Sequence, residues 1–108
     1  MSENDGALIN LVICDAILTK HLLQYRHAPT DKLRIVEPHA YGVMHDGTHA
    51  VWVWPVEAEG TAPSGPQALA LVHLNEMRDV QMRTEIFEGH RPDYMRANRH
   101  MRLIHSQL

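Results

Sequence analysis

The chain has 108 residues and a formal net charge of −3, and 44% of its residues are hydrophobic. This length fits one domain around a single modest core, and the ordinary composition argues against extensive disorder. The small negative charge disfavours a protein that coats nucleic acid regardless of sequence. Cys14 is the only cysteine, which excludes an internal disulfide and any site built from several cysteines. We therefore predict a single domain over residues 1–108 in a reducing compartment.

The longest apolar stretch, residues 7–18, is interrupted by Asn10 and Asp15. It also lacks the basic start and the small-residue cleavage site of a signal peptide. Such a stretch is typical of a buried helix and is too polar for a membrane span. We expect a cytoplasmic protein with no membrane partner.

The first part of the sequence predicts a helix followed by short strands. Residues 1–6 are polar and are predicted to be flexible. Helical spacing of apolar residues predicts a largely buried helix over residues 7–19. Pro38 cannot donate to a strand ladder, so it is predicted to separate two strands. The three strands of this part are predicted at residues 21–25, 33–37 and 39–44.

The middle of the sequence predicts a hairpin. Asp46 and Gly47 lie between two apolar runs and predict a type I′ turn, in which both central residues have positive φ. The strand that follows, residues 49–56, carries Trp52 and Trp54 on one face. Two further strands are predicted at residues 68–74 and 80–86, with a single turn at residues 75–78 between them.

The end of the sequence predicts a second helix over residues 93–106. Pro92 and Asp93 are typical of a helix start. Apolar residues then recur at spacings of three and four, at Tyr94, Ala97, Met101, Ile104 and Leu108. The whole pattern predicts an α+β, mainly β fold. Residues 21–86 would form a small antiparallel barrel of about five strands, flanked by the N-terminal and C-terminal helices.

Residues 34–43, R-I-V-E-P-H-A-Y-G-V, resemble the R-x-V-E-P-x-x-Y-G-V core of WYL domains. The D-G hairpin, residues 74–80 and the string R-P-D-Y at residues 91–94 agree with this family in order, so the resemblance covers nearly the whole chain. It implies an SH3-like or Sm-like barrel that acts as a regulatory ligand-binding module, with nucleic acid or nucleotide-like ligands. The family's Trp-Tyr-Leu triplet is replaced by V-W-V at residues 51–53.

Six residues are predicted to line a ligand-binding rim of the barrel. A cation there would pair with a phosphate or carboxylate, and aromatic rings would stack on bases. His73 joins the set because it stands where many WYL domains carry an arginine. The structural alternatives place Arg34 as the partner of Glu37 or of a loop carbonyl and Tyr41 in the core. The two tryptophans would then be core or helix cover, and His73 a core or interface residue. The set is Arg34, His39, Tyr41, Trp52, Trp54 and His73.

A second, cationic surface is predicted towards the C-terminus. It would hold an acidic partner or a nucleic-acid backbone, and its structural alternative is a solvated helix face. Its members are Arg91, Arg96, Arg99 and Arg102. The nine histidines show none of the spacings of a metal site, and no serine or cysteine stands in a nucleophile motif, so we predict no metal, no cofactor and no catalytic residue.

The sequence thus predicts a non-enzymatic regulatory module that binds a small anionic or nucleotide-like ligand or single-stranded nucleic acid. Such a module would relay binding through a protein partner. The alternative is a structural or protein-interaction module that acts as a homodimer through the apolar C-terminal stripe and the aromatic strand.

Overall fold

The computed structural model describes residues 2–58, 69–89, 91 and 101–108, with side chains described from residue 9 onward except at 57 and 58. Within these residues lie one helix, six strands and a short 3-10 helix between β4 and β5 at Leu74–Glu76. The elements are α1 (Ser2–Thr19), β1 (His21–His27), β2 (Lys32–Met44), β3 (His49–Ala58), β4 (Ala70–His73), β5 (Met77–Ile86) and β6 (Met101–Gln107). The prediction of a mainly β, antiparallel fold with an N-terminal helix is confirmed. The helix begins at Ser2, so it includes residues that the sequence predicts to be flexible.

The strands form one antiparallel sheet in the order β4-β3-β2-β1-β5, and β6 pairs with β2 off this path. Strands β4 and β5 stand at opposite ends of the path, yet only the three residues Leu74–Glu76 connect them. The sheet must therefore curl strongly to bring its two ends close together. In the described residues no ladder joins β4 to β5, so the sheet is open.

Strand β2 is continuous over 13 residues, although the sequence predicts a break at Pro38. The strand continues through Pro38 because this residue lies between the end of the ladder with β1 and the start of the ladder with β6. β1 pairs with β2 up to Val36, and β6 pairs with β2 from Ala40 onward. Across the opposite edge, His39 is an extra residue between the pairs Pro38–Val53 and Ala40–Trp52. This bulge bends β2 and lets one strand serve two neighbours.

One face of the curled sheet packs against α1 and forms the main core. Ile13, Ala16 and Ile17 of the helix are buried against sheet residues that include Leu23 and Val51. Each large apolar side chain buried in this way contributes about 1.5–3 kcal/mol relative to exposure. Tyr41 lies in the same core, so α1 fixes the position of the β2 segment that follows the bulge. None of the helical segments that the structure describes has the length and apolarity that crossing a membrane requires.

The predicted C-terminal helix over residues 93–106 is wrong for its second half, because Met101–Gln107 forms the strand β6. Residues 92–100 lie outside the described residues. Within residues 101–108, the apolar spacing that indicates a helix comes from two bulges in β6. Val43 pairs with Leu103 and Met44 with Met101, which leaves one extra residue, and a second extra residue, His105, lies further along. Two such insertions turn the alternation of a strand into spacings of three and four.

Gly42 is needed for β6 to reach β2. A Cβ atom built on it would overlap the carbonyl oxygen of Leu103, so only glycine lets the two backbones approach this closely.

The neighbouring hairpin lies where the sequence predicts it, but its turn type differs. Only Gly47 has positive φ (90°), its N–H donates to the Met44 carbonyl, and Met44 N–H donates to Thr48. This is a three-residue loop with a left-handed glycine instead of a type I′ turn.

Candidate functional site

A groove of about 540 Å³ opens beside the β2 bulge, where strands β1, β2 and β3 meet the segment that follows β5. Its apolar wall includes Val56 and Ile86, which are 40% and 70% exposed. Its polar wall includes an acidic and a basic side chain, Glu37 and Arg91. The lining residues are Leu22, Glu37, Val56, Ile86, Phe87, Glu88, Gly89 and Arg91.

Glu37 and Arg91 form a bidentate ion pair in this groove. Arg91 Nε donates to Glu37 Oε1 at 2.8 Å, and Nη2 donates to Oε2 at 2.6 Å. The carboxylate is buried, whereas the arginine side chain is 40% exposed. The hydrogen bonds to Glu37 raise the pKa of Arg91 above its ordinary value, so this cation stays charged. Its guanidinium carbon lies 4.8 Å from the ring centre of Trp54, a cation–π contact.

His39 stands behind this ion pair and holds the groove together. The ring is fully buried and stacks on Phe87 with ring centres 5.9 Å apart. Its Nε2 accepts the backbone N–H of Arg91 at 3.0 Å, which leaves Nδ1 to donate to the Glu37 carbonyl at 2.9 Å. Both nitrogens are therefore used within the protein. His39, which the sequence predicts as a ligand contact, is therefore a buried residue that joins the β2 bulge to the segment after β5.

Two of the other predicted rim residues lie at different places in the fold. Arg34 pairs across the sheet with Tyr25, and its Nε is buried without a hydrogen-bond partner. Tyr41 lies in the core under α1, where its hydroxyl donates to Asn10 Oδ1 at 2.6 Å. Neither residue lines the groove.

Trp52 and His73 are also separate from the groove. Trp52 packs in a second apolar cluster with Ala40 and Met101, and its indole nitrogen is buried without a partner. His73 ends β4, and its backbone N–H donates to the Glu76 carboxylate at 3.0 Å. Of the six predicted rim residues, the structure brings together only His39 and Trp54, and it adds Arg91 from the predicted cationic surface.

That cationic surface is not assembled in the described part of the chain. Arg91 is paired with Glu37, while Arg102 is exposed on β6. Arg96 and Arg99 lie outside the described residues. The groove also carries Glu88, so two carboxylates accompany its one arginine. The net negative charge of the groove therefore disfavours binding of a ligand that is recognised only through an anionic group.

Sequence reasoning missed the groove residues Val56, Ile86 and Phe87, and it treated Glu37 only as a partner of Arg34. No local sequence signal marks these residues, because they meet only after β2 bends at His39. Among the residues that the structure describes, no three His, Cys, Asp or Glu side chains are grouped to hold a metal ion. Burial raises the pKa of the Cys14 thiol, which keeps it in the unreactive neutral form.

Comparison of the chain with protein-family models, with curated proteins and with solved structures found no match.

Proposed function

We propose that this chain is a non-enzymatic, cytoplasmic ligand-binding module of the WYL type, and that the groove beside Trp54 is its binding site. The observation that carries the proposal is the convergence of a buried carboxylate, a half-exposed guanidinium and an exposed apolar wall in one groove of about 540 Å³. Small-molecule sites are concave, largely apolar and furnished with a few fixed polar groups. His39 holds this groove in place before a ligand binds, and such preorganisation lowers the entropic cost of binding.

The ligand class follows from the two walls. Each Glu37 oxygen accepts one hydrogen bond from Arg91 and keeps a second lone pair, and the Arg91 side chain is 40% exposed. We propose that these remaining acceptor sites and the guanidinium edge contact a planar group that carries both donors and acceptors. Val56 and Ile86 offer an apolar surface to the flat face of such a ligand. A nucleobase has both features. We therefore propose a nucleotide-like ligand or single-stranded nucleic acid that is recognised through the base, because Glu37 and Glu88 outweigh Arg91 in charge.

We also propose that the curled sheet forms a roll close to a small barrel. Strands β4 and β5 are joined by three residues although they end the sheet path on opposite sides. This connection supports a roll that approaches the SH3-like or Sm-like barrel of WYL domains. In this arrangement the groove lies at the rim, and a ligand there would be available to a protein partner that reads the bound state.

Fluorescence of Trp54 provides the direct test. A Trp52→Phe background leaves Trp54 as the sole tryptophan, because the chain contains two. The protein is titrated with nucleoside monophosphates, with the corresponding nucleosides and with short single-stranded oligonucleotides. We expect saturable quenching, with nucleoside and nucleotide affinities that differ by less than about threefold, since phosphate contacts are minor. A loss of one charged hydrogen bond in Glu37→Gln should weaken binding by about tenfold or more.

Arg78→Ala is the matched control, because Arg78 forms a surface pair with Asp31 and does not line the groove. Its affinity should equal that of the parent protein. Arg34→Ala tests the anion-binding role that the sequence predicts for that residue and should also bind normally. The proposal fails if no base-containing ligand alters Trp54 fluorescence, or if Glu37→Gln and Arg91→Met bind as well as the parent.

The homodimer is the alternative of a different class, and the exposure of Val56 and Ile86 favours it, since a second copy that covered the groove would bury both. The C-terminal stripe that the sequence assigns to this interface is less suitable. Met101 is buried, and Ile104 and Leu108 pack against the second cluster of the same chain. Light scattering separates the two functions: a stable dimer whose Trp54 is shielded from quencher supports the alternative, and a monomer that responds to nucleosides supports ligand binding.

A further inference from the structure

We propose that His49 and His105 form a two-histidine binding site for a transition-metal ion of the zinc and nickel class, on the face of the sheet that α1 covers. The two residues are far apart in the sequence and come from β3 and β6, which flank β2 on opposite sides. Tyr41 of β2 contacts both histidines, and the three ring centres form a triangle with sides of 5.2, 6.1 and 6.1 Å. The site is separate from the groove, and its existence does not depend on the function proposed above.

The hydrogen bonds of Tyr41 fix the tautomer of His49. The phenol has one proton and donates it to Asn10 Oδ1 at 2.6 Å. Its oxygen lies 3.0 Å from His49 Nδ1, so it must accept the Nδ1–H of His49 there. The lone pair of the neutral ring then lies on Nε2. A metal-ligating histidine characteristically donates its other N–H to an oxygen acceptor in this way, which orients the ring and increases its basicity.

Two imidazoles that bind one zinc at a tetrahedral angle, through nitrogens at about 2.0–2.1 Å, have ring centres roughly 5 Å apart. The ring centres of His49 and His105 are 6.1 Å apart and their planes lie within 10° of parallel, so the rings must turn and close by about 1 Å to share an ion. Both side chains are exposed, so the His105 ring can turn towards His49 while the His49 ring keeps its hydrogen bond to Tyr41, and water can complete the coordination of the ion. No third His, Cys, Asp or Glu joins them among the described residues, which predicts modest affinity.

Imidazole nitrogens select the metal class. They suit zinc, nickel and copper, whereas magnesium and calcium prefer oxygen ligands. The Tyr41 hydroxyl supports this site from behind as a hydrogen-bond acceptor and is a positioning residue. Its replacement by phenylalanine should retain both ligands and lower zinc affinity by about ten- to a hundredfold.

Calorimetric titration of the full chain with Zn²⁺, Ni²⁺ and Mg²⁺ tests the proposal, combined with NMR of the histidine ring protons. We expect one Zn²⁺ or Ni²⁺ per chain, no binding of Mg²⁺, and perturbed ring signals from His49 and His105. His49→Gln and His105→Gln should each lower zinc affinity by about tenfold or more, because one ligand of two is lost. His45→Gln is the matched control in the adjacent hairpin and should bind as the parent does.

Three outcomes would overturn the proposal. They are an absence of saturable zinc binding, a zinc affinity that both His49→Gln and His105→Gln leave unchanged, and a stoichiometry of one ion per two chains. The last result would assign the imidazoles of one ion to different copies. Circular dichroism of each variant shows whether the fold is retained. If one variant fails to fold, the other and the ring-proton shifts of the parent still decide the outcome.

Discussion

Replacing Arg91 by methionine tests how the groove is held together. The change removes the guanidinium and keeps an unbranched side chain over Trp54. The Glu37 carboxylate, only 7% exposed, then loses hydrogen bonds of 2.6 and 2.8 Å without becoming fully hydrated. Losing one partner of a buried pair costs about 3–5 kcal/mol, whereas a surface pair contributes about 0–1 kcal/mol. Since the Arg91 side chain is 40% exposed, we expect a loss of about 2–3 kcal/mol in the free energy of unfolding.

Urea unfolding followed by circular dichroism measures this loss, and a double-mutant cycle assigns it to the pair. Glu37→Gln retains a neutral acceptor and should cost about 1 kcal/mol. The double variant leaves no unpaired charge, so its cost should be smaller than the sum of the two by about 1–2 kcal/mol. Arg78→Ala, which breaks the exposed pair with Asp31, should cost less than about 0.5 kcal/mol. An Arg91→Met loss no larger than that of this control would refute the reasoning.

Three further predictions concern the sheet and its ends. Gly42→Ala should lower the free energy of unfolding by about 2 kcal/mol or more, because the new Cβ overlaps the β6 backbone. Gly47→Ala has open space around its Cβ but a φ of 90°, so it should cost about 1–2 kcal/mol. Urea midpoints and amide exchange of β6 compare the two variants. Burial raises the pKa of Tyr41 to about 12. Above pH 10 the unfolded chain therefore ionises first and stability falls as pH rises, and Tyr41→Phe should flatten that fall in urea midpoints measured across this range. Hydrogen bonds from Thr48 lower the pKa of Asp46, so Asp46→Ala should destabilise at neutral pH, and thermal unfolding should show the difference shrinking as pH falls below 3.8.

Most of the sheet can be predicted from the sequence, because its strands are short apolar runs bounded by turn residues. The prediction for β3 begins at the correct residue, and the single turn before β5 corresponds to the 3-10 helix Leu74–Glu76. The two errors in strand assignment, the break at Pro38 and the helix over residues 101–106, occur where strands contain extra residues. Alternation of period two is the signal for a strand, and the two insertions in β6 destroy it. Its apolar residues then match a helix better than a strand, and only pairing with β2 decides otherwise.

At the candidate site, the sequence identifies residues of interest but not their partners. The sequence identifies Trp54, His39 and Arg91 as residues of interest, and these three do meet. It assigns Arg91 to an anion-binding surface, because a lone arginine near a basic C-terminal part gives no sign of its partner. That partner, Glu37, lies far away along the chain and becomes adjacent only through the bend in β2. Charge balance at a site therefore cannot be derived before the topology is known.

The bend in β2 determines where the groove forms. A straight strand of this length would present one continuous edge, and a single neighbour could pair along all of it. The bulge at His39 bends β2, the ladder with β1 ends at Val36 and the ladder with β6 begins at Ala40, so the two neighbours share that edge. The backbone of Arg91 reaches β2 between these ladders, where His39 accepts its N–H. The gap between the two ladders thus admits the segment that completes the groove, and the residue that interrupts the pairing is the one that fixes that segment in place.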